Sequence, residues 1–149
     1  MSESVSSQLL LGKNTPVVEV YSPDILFPIA RSEARTRLGL SPELPFYGAD
    51  LWHAYELSWL NSKGWPVARV GRFVIPASSP YIVESKSFKL YLNSLNAMRF
   101  PSDDAARALI EADVSAVAGA PISLSLHAVD DLALAGAQLE GVCLDTLVA

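Results

Sequence analysis

Cysteine and histidine are nearly absent from this chain: Cys143 is its only cysteine, and His53 and His127 are its only histidines among 149 residues. A lone cysteine excludes an internal disulfide and agrees with a reducing compartment. Two histidines so far apart do not make a metal-ligand spacing, so no metal is expected. Long apolar runs are missing as well. The run Leu9 to Leu11 falls far short of the ~20 residues that span a bilayer, and no basic segment precedes it as in a secretory leader. The expectation is a cytoplasmic protein without membrane contact. Cations are missing from the last third: every lysine and arginine lies at or before Arg107, while Glu111, Asp113, Asp130, Asp131, Glu140 and Asp145 follow it. With a net charge of -5, wholesale phosphate neutralisation on duplex nucleic acid is excluded. Any local positive potential sits in the first two-thirds.

What is present reads as a globular protein, with 50% apolar and 18% charged residues. The length suits one domain that buries well over half of the surface its unfolded form exposes. Residues 1–45 are punctuated by Pro16, Pro23, Pro28, Pro42 and Pro45 without a sustained period. They are expected to form an arm lying over the surface, with one short helical possibility around Ser32 to Leu38. Residues 46–149 are expected to form the module itself.

Within it, "LWHAYELSWL", the turn residues "NSKG" and "WPVARVGRFVI" predict a β-hairpin, with Gly71 marking a bulge or a close backbone approach. "PASSP" interrupts the sheet, and "YIV" leads into "ESKSFKLYLNSLNAMRF". There Phe88, Tyr91, Leu92 and Leu95 fall on one helical face, in a series whose next member is Arg99. A second helix is predicted from Ser102 as N-cap, with Asp103 and Asp104 in the first turn. Its buried stripe is Ala105, Ala106, Leu109, Ile110, Val114 and Val117. Gly119 and Pro121 end it. Ile122, Leu124, Leu126 and Ala128 then alternate with Ser123, Ser125 and His127 as a half-buried strand, and a last strand is predicted near Leu139 to Leu144. The order is strand, strand, helix, helix, strand, strand.

The start of the first helix poses a chemical question, because Lys86 and Lys89 stand where the macrodipole disfavours cations. Spacing alone favours a capped helix with a solvated lysine pair. The other reading is a site in which Glu84 accepts two N–H donors from a purine- or pterin-like ring while ammonium groups and amides hold phosphate. The remaining candidates read as structure: His127 as a solvent-face strand residue, His53 packed beside Trp52, and Trp52, Trp59 and Trp65 as core.

"ESKSFKLY" at Glu84 to Tyr91, together with "YELSWLNSKGWP" at Tyr55 to Pro66 and "LPFYGADLW" at Leu44 to Trp52, resembles the NADPH-dependent 7-cyano-7-deazaguanine reductases, the QueF nitrile reductases of queuosine biosynthesis, a tRNA-modification pathway. The likeness runs from about Leu10 to Asp145 and is to the N-terminal half of the bimodular members. It implies an α+β tunnelling fold, an antiparallel sheet with two helices inserted between the second and third strands. It also implies Glu84 and Ser85 as substrate contacts on 7-cyano-7-deazaguanine, and Ser85, Lys86, Ser87 and Lys89 as contacts of NADPH.

In that family the nitrile is attacked by a cysteine thiolate assisted by an aspartate, which divides the reduction into easier steps. Both belong to the C-terminal half of the bimodular proteins. The resemblance therefore implies no catalytic residue in this chain and the C-terminal half as its partner; the open sheet edges expected of such a module predict a homo-oligomer. Cys143 and Asp145 match the end of the N-terminal module, and Cys143 reads as a small packed hydrophobe. Two rival readings are a non-catalytic purine- or pterin-binding or assembly module of the same fold and a cyclohydrolase-like enzyme, which would need a metal.

Overall fold

The computed structural model describes residues 12, 20–41, 43–136 and 141–142. Cys143, Asp145 and most of the strand predicted near Leu139 to Leu144 lie outside the described residues; its two described positions, 141 and 142, are in no strand.

Two long strands, β2 (Ala49–Asn61) and β3 (Pro66–Pro76), form the predicted antiparallel hairpin. Asn61 closes the turn, its side-chain carbonyl accepting from the backbone N–H of Lys63 and of Trp65. A later strand, β6 (Ser123–His127), lies antiparallel to β3. The period-two pattern places Phe73 and Ile75 on one face with Leu57, Trp59 and Leu124, and all five are buried. That face carries both helices, α2 (Ser85–Asn93) and α3 (Asp103–Ala118). Phe88 of α2 meets Phe73 edge to face at 4.9 Å and Trp52 at 5.6 Å. On α3, Ala106, Ile110, Val114 and Ala118 are buried at i, i+4, i+8 and i+12, with Ala105, Leu109 and Val117 packed beside them. Each large apolar side chain fully buried this way contributes about 1.5–3 kcal/mol relative to exposure.

The order of two strands, two helices and an antiparallel return strand is the α+β arrangement expected. Local geometry adds pieces that periodicity did not disclose. Helix α2 ends at Asn93, because the Ser94 hydroxyl bonds back to the Tyr91 carbonyl and the chain continues in tight turns. Those turns deliver Arg99–Phe100 as a two-residue strand, β5, parallel to β2 at Leu60 and Asn61. The apolar series is interrupted there, and Arg99 is on no helix. A separate two-stranded ribbon pairs β1 (Pro28–Ala30) with β4 (Tyr81–Val83).

Parts of the described arm pack onto the rest. They supply β1, the short helix α1 (Arg31–Arg37) near where one was expected, and Leu26, which is buried in the core. Arg31 bonds Ser79 at 3.1 Å and pairs with Asp50, and Arg35 donates to the Ala77 carbonyl. The Tyr21 and Tyr91 hydroxyls both donate to one oxygen of Asp113, at 2.7 and 2.6 Å. Burial and that shared carboxylate push the Tyr21 hydroxyl up to about 12 and raise Tyr91 further still.

At Gly119 the backbone is left-handed (φ 68°), which closes α3 as predicted. Gly71 provides the close approach: a Cβ there would stand 3.1 Å from Leu57 Cδ2 and 3.2 Å from Leu124 Cδ1. The associated register shift is on the opposing strand, where Tyr55 and Glu56 lie between the paired Ala54 and Leu57.

Among the described residues no helix is long and apolar enough to cross a membrane. None of their His, Cys, Asp and Glu side chains form a group of three or more that could hold a metal ion.

Candidate functional site

Glu84 joins β4 to α2 and is the N-cap of that helix. Its carboxylate accepts from the backbone N–H of Lys86 at 3.1 Å and of Ser87 at 2.6 Å, and it is only 3% exposed. Two first-turn donors are thereby satisfied, and a negative charge sits at the positive end of the helix dipole. This offsets the local cost of two lysines in the first turns. Ser87 is fully buried. Its hydroxyl donates to the Glu84 carbonyl at 2.8 Å and accepts from Phe27 N–H at 3.1 Å, tying the segment before β1 to the helix start.

Outward from this anchored start, α2 presents Ser85, Phe88, Lys89, Leu92 and Asn93 to an open cleft of about 470 Å³. The opposite wall is Trp52 to Glu56, consecutive residues of β2. Because neighbours on a strand point to opposite faces, a wall made of consecutive residues means the cleft follows the strand's edge. Pairing with β5 covers that edge only at Leu60 and Asn61, so 49–59 have no strand partner on that side among the described residues. The cleft is mainly apolar, with the Trp52–Phe88 pair inside it and His53 stacked on Tyr55 at 5.9 Å. Its charges are Lys89 and Glu56, whose Nζ and Oε2 lie 3.6 Å apart.

The expected site residues therefore separate into layers. Ser85 and Lys89 line the cleft; Glu84 and Ser87 lie behind them, holding the helix start; Lys86 is half-buried two residues from the cap. Glu56, Trp52 and Phe88 were not singled out as site residues by the sequence reading. His53 stacks on Tyr55 and not beside Trp52, since residues 52 and 53 face opposite ways. Of the tryptophans expected in the core, Trp59 is buried and Trp52 is partly buried against the core, but Trp65 is 68% exposed at the hairpin turn. His127 is half-buried on β6, its Nδ1 2.9 Å from Asp131 Oδ2, and this contact holds the Asp131 carboxyl below the usual carboxylate range. Asp103 and Asp104 stand in the first turn of α3 as expected, Asp103 also binding Arg69 at 2.8 Å.

A hairpin, two helices laid on one face, and an edge cleft headed by "ESKSFKLY" define a nitrile-reductase-type module, and the chain belongs to that family: residues 17–126 match the family described as nitrile reductase, 7-cyano-7-deazaguanine-reductase N-term. Among individual relatives, it is similar to the NADPH-dependent 7-cyano-7-deazaguanine reductase of Burkholderia orbicola (strain MC0-3), 49% identical over 138 residues, which are 92% of this chain and 50% of that protein. The same-named protein of Desulfotalea psychrophila is 45% identical over 148 residues, 99% of this chain and 54% of the relative. The chain thus spans about half the length of the curated relatives it matches.

Proposed function

We propose that this chain acts as the N-terminal module of an NADPH-dependent 7-cyano-7-deazaguanine reductase, made of an arm (residues 1–45) and a tunnelling-fold module (residues 46–149), and working in the cytoplasm on the queuosine route. The observation that carries the reading is the half-length family match whose most specific motif forms one wall of the edge cleft.

In this reading Glu84 and Ser85 anchor the deazaguanine ring, and Ser85, Lys86, Ser87 and Lys89 serve the cofactor. The residues present suit such a ligand in part. A cleft in the ~300–1,000 Å³ range typical of small-ligand sites combines aromatic walls with an exposed ammonium and an exposed hydroxyl at a helix start. NADPH, when bound, supplies the hydrides that turn the nitrile into a primary amine. Lys89 would hold phosphate as a point charge, and the Ser85 hydroxyl would donate or accept at the ring or ribose. The Ser87 hydroxyl is already committed on both sides, so its share is to hold the helix start in register beneath the cofactor. Glu84 would keep its cap while its remaining lone pairs take ring N–H donors.

The open edge of β2 suits strand pairing. Its occupant in this proposal is the C-terminal half of the enzyme, within a homo-oligomer, and that half brings the thiolate. Alone, the chain is then inactive. Intact-protein mass spectrometry after incubation with 7-cyano-7-deazaguanine at neutral pH tests this, and the expected spectrum shows no adduct. An adduct of the substrate's mass that disappears in Cys143→Ala would overturn the half-enzyme reading.

A further inference from the structure

Glu56 owes its place in the cleft to the bulge of β2. The inward-facing positions are Trp52 and Ala54 before the irregularity and Leu57 and Trp59 after it, so the step at Tyr55 and Glu56 changes the parity of the strand. Bulges re-aim side chains beside binding sites. Here the result is a carboxylate 3.6 Å from the ammonium of Lys89, both on the cleft wall and both largely exposed at 83% and 68%. An ion pair so exposed contributes little to stability and is easily displaced. Among the residues lining the cleft, Lys89 is the only cation and Glu56 the only anion, so the pair leaves the wall neutral until a ligand arrives.

We propose that Glu56 is a specificity-determining residue that acts through Lys89: it neutralises the ammonium until an anion of greater charge replaces the carboxylate. The inference rests on the reading of Lys89 as a phosphate-binding residue. A phosphomonoester, with a charge of about −1.5 to −2 near neutral pH, outcompetes a carboxylate for the ammonium. A hydroxyl or another carboxylate does not. Specificity commonly needs such an opposing element as well as an attractive one. Without Glu56 the bare ammonium would hold many small anions; with it, the cleft selects ligands that bring a phosphomonoester.

The test is calorimetric titration of the full chain and of Glu56→Gln, Lys89→Gln and the double variant, with NADPH and with inorganic phosphate as probes at low salt. Both positions are exposed, and thermal melts confirm that the variants fold. Glu56→Gln should bind NADPH about two- to fivefold more tightly, the range an exposed ion pair permits. Lys89→Gln should weaken binding, and the double variant should behave as Lys89→Gln alone. The gain in Glu56→Gln should vanish in concentrated salt, which screens exposed charges. Weaker or unchanged binding by Glu56→Gln, or a gain that survives in the Lys89→Gln background, would overturn the proposal while leaving Lys89 a cofactor residue. If neither probe binds wild type or Glu56→Gln, the proposal falls together with the cofactor role of Lys89.

Discussion

Replacing Glu84 separates two roles that one carboxylate holds at once. In Glu84→Ala the N–H groups of Lys86 and Ser87 lose their acceptor in a place that is 3% exposed. Loss of a helix N-cap costs about 0.5–2 kcal/mol, and a hydrogen bond to a charged group is worth about 1.5–3 kcal/mol. The two overlap, so about 3 kcal/mol is the expected destabilisation. For a chain of this size about 2–4 °C of Tm corresponds to each kcal/mol, which puts the fall at about 6–12 °C by scanning calorimetry. Glu84→Gln keeps one acceptor and should lose less than half as much. Glu84→Asp is the informative change, because aspartate is a good N-cap but its carboxylate is one methylene shorter. It should retain most of the stability while binding 7-cyano-7-deazaguanine poorly in the assembled enzyme. A Tm for Glu84→Ala within about 1 °C of wild type would refute the capping argument, since even the smallest cap loss, about 0.5 kcal/mol, predicts at least that. Normal ring binding by Glu84→Asp and Glu84→Ala would refute the anchor.

Two further outcomes follow from packing and charge. Because burial and Asp113 raise Tyr21 from its ordinary value of 10.0 to about 12, the unfolded chain releases this proton first. The associated stability is complete below pH 10 and is lost as pH rises from there through about 12; urea unfolding of wild type should therefore weaken more steeply across this window than that of Tyr21→Phe, and parallel slopes would count against the raised value. Gly71→Ala forces a Cβ to within 3.1 Å of Leu57 and 3.2 Å of Leu124 and Phe73, and overpacking of this kind costs about 1–3 kcal/mol, readable as a lower urea midpoint at unchanged slope.

Periodicity was enough to place the hairpin, the start of the first helix but not its end at Asn93, the second helix with its caps at Ser102 and Gly119, and the strand carrying Leu124, because each is a local pattern enforced by a single buried face. The octapeptide was legible for the same reason: eight contiguous residues carry it. Other features required the folded chain. The parity change at Tyr55 and Glu56 leaves a trace in "LWHAYELSWL", where buried positions pass from even to odd numbers, but that trace cannot tell a bulge from a strand end. The neighbour of Glu56 is Lys89, 33 positions away. Likewise, the sequence proposed Glu84 to Lys89 as one group, and only tertiary structure sorted them. The arm passes over the helix start and takes the Ser87 hydroxyl through Phe27, the cap claims both oxygens of Glu84, and Ser85 and Lys89 are left facing the cleft. Which face of a short helix meets solvent is a property of what packs against it, and here those neighbours come from distant parts of the chain.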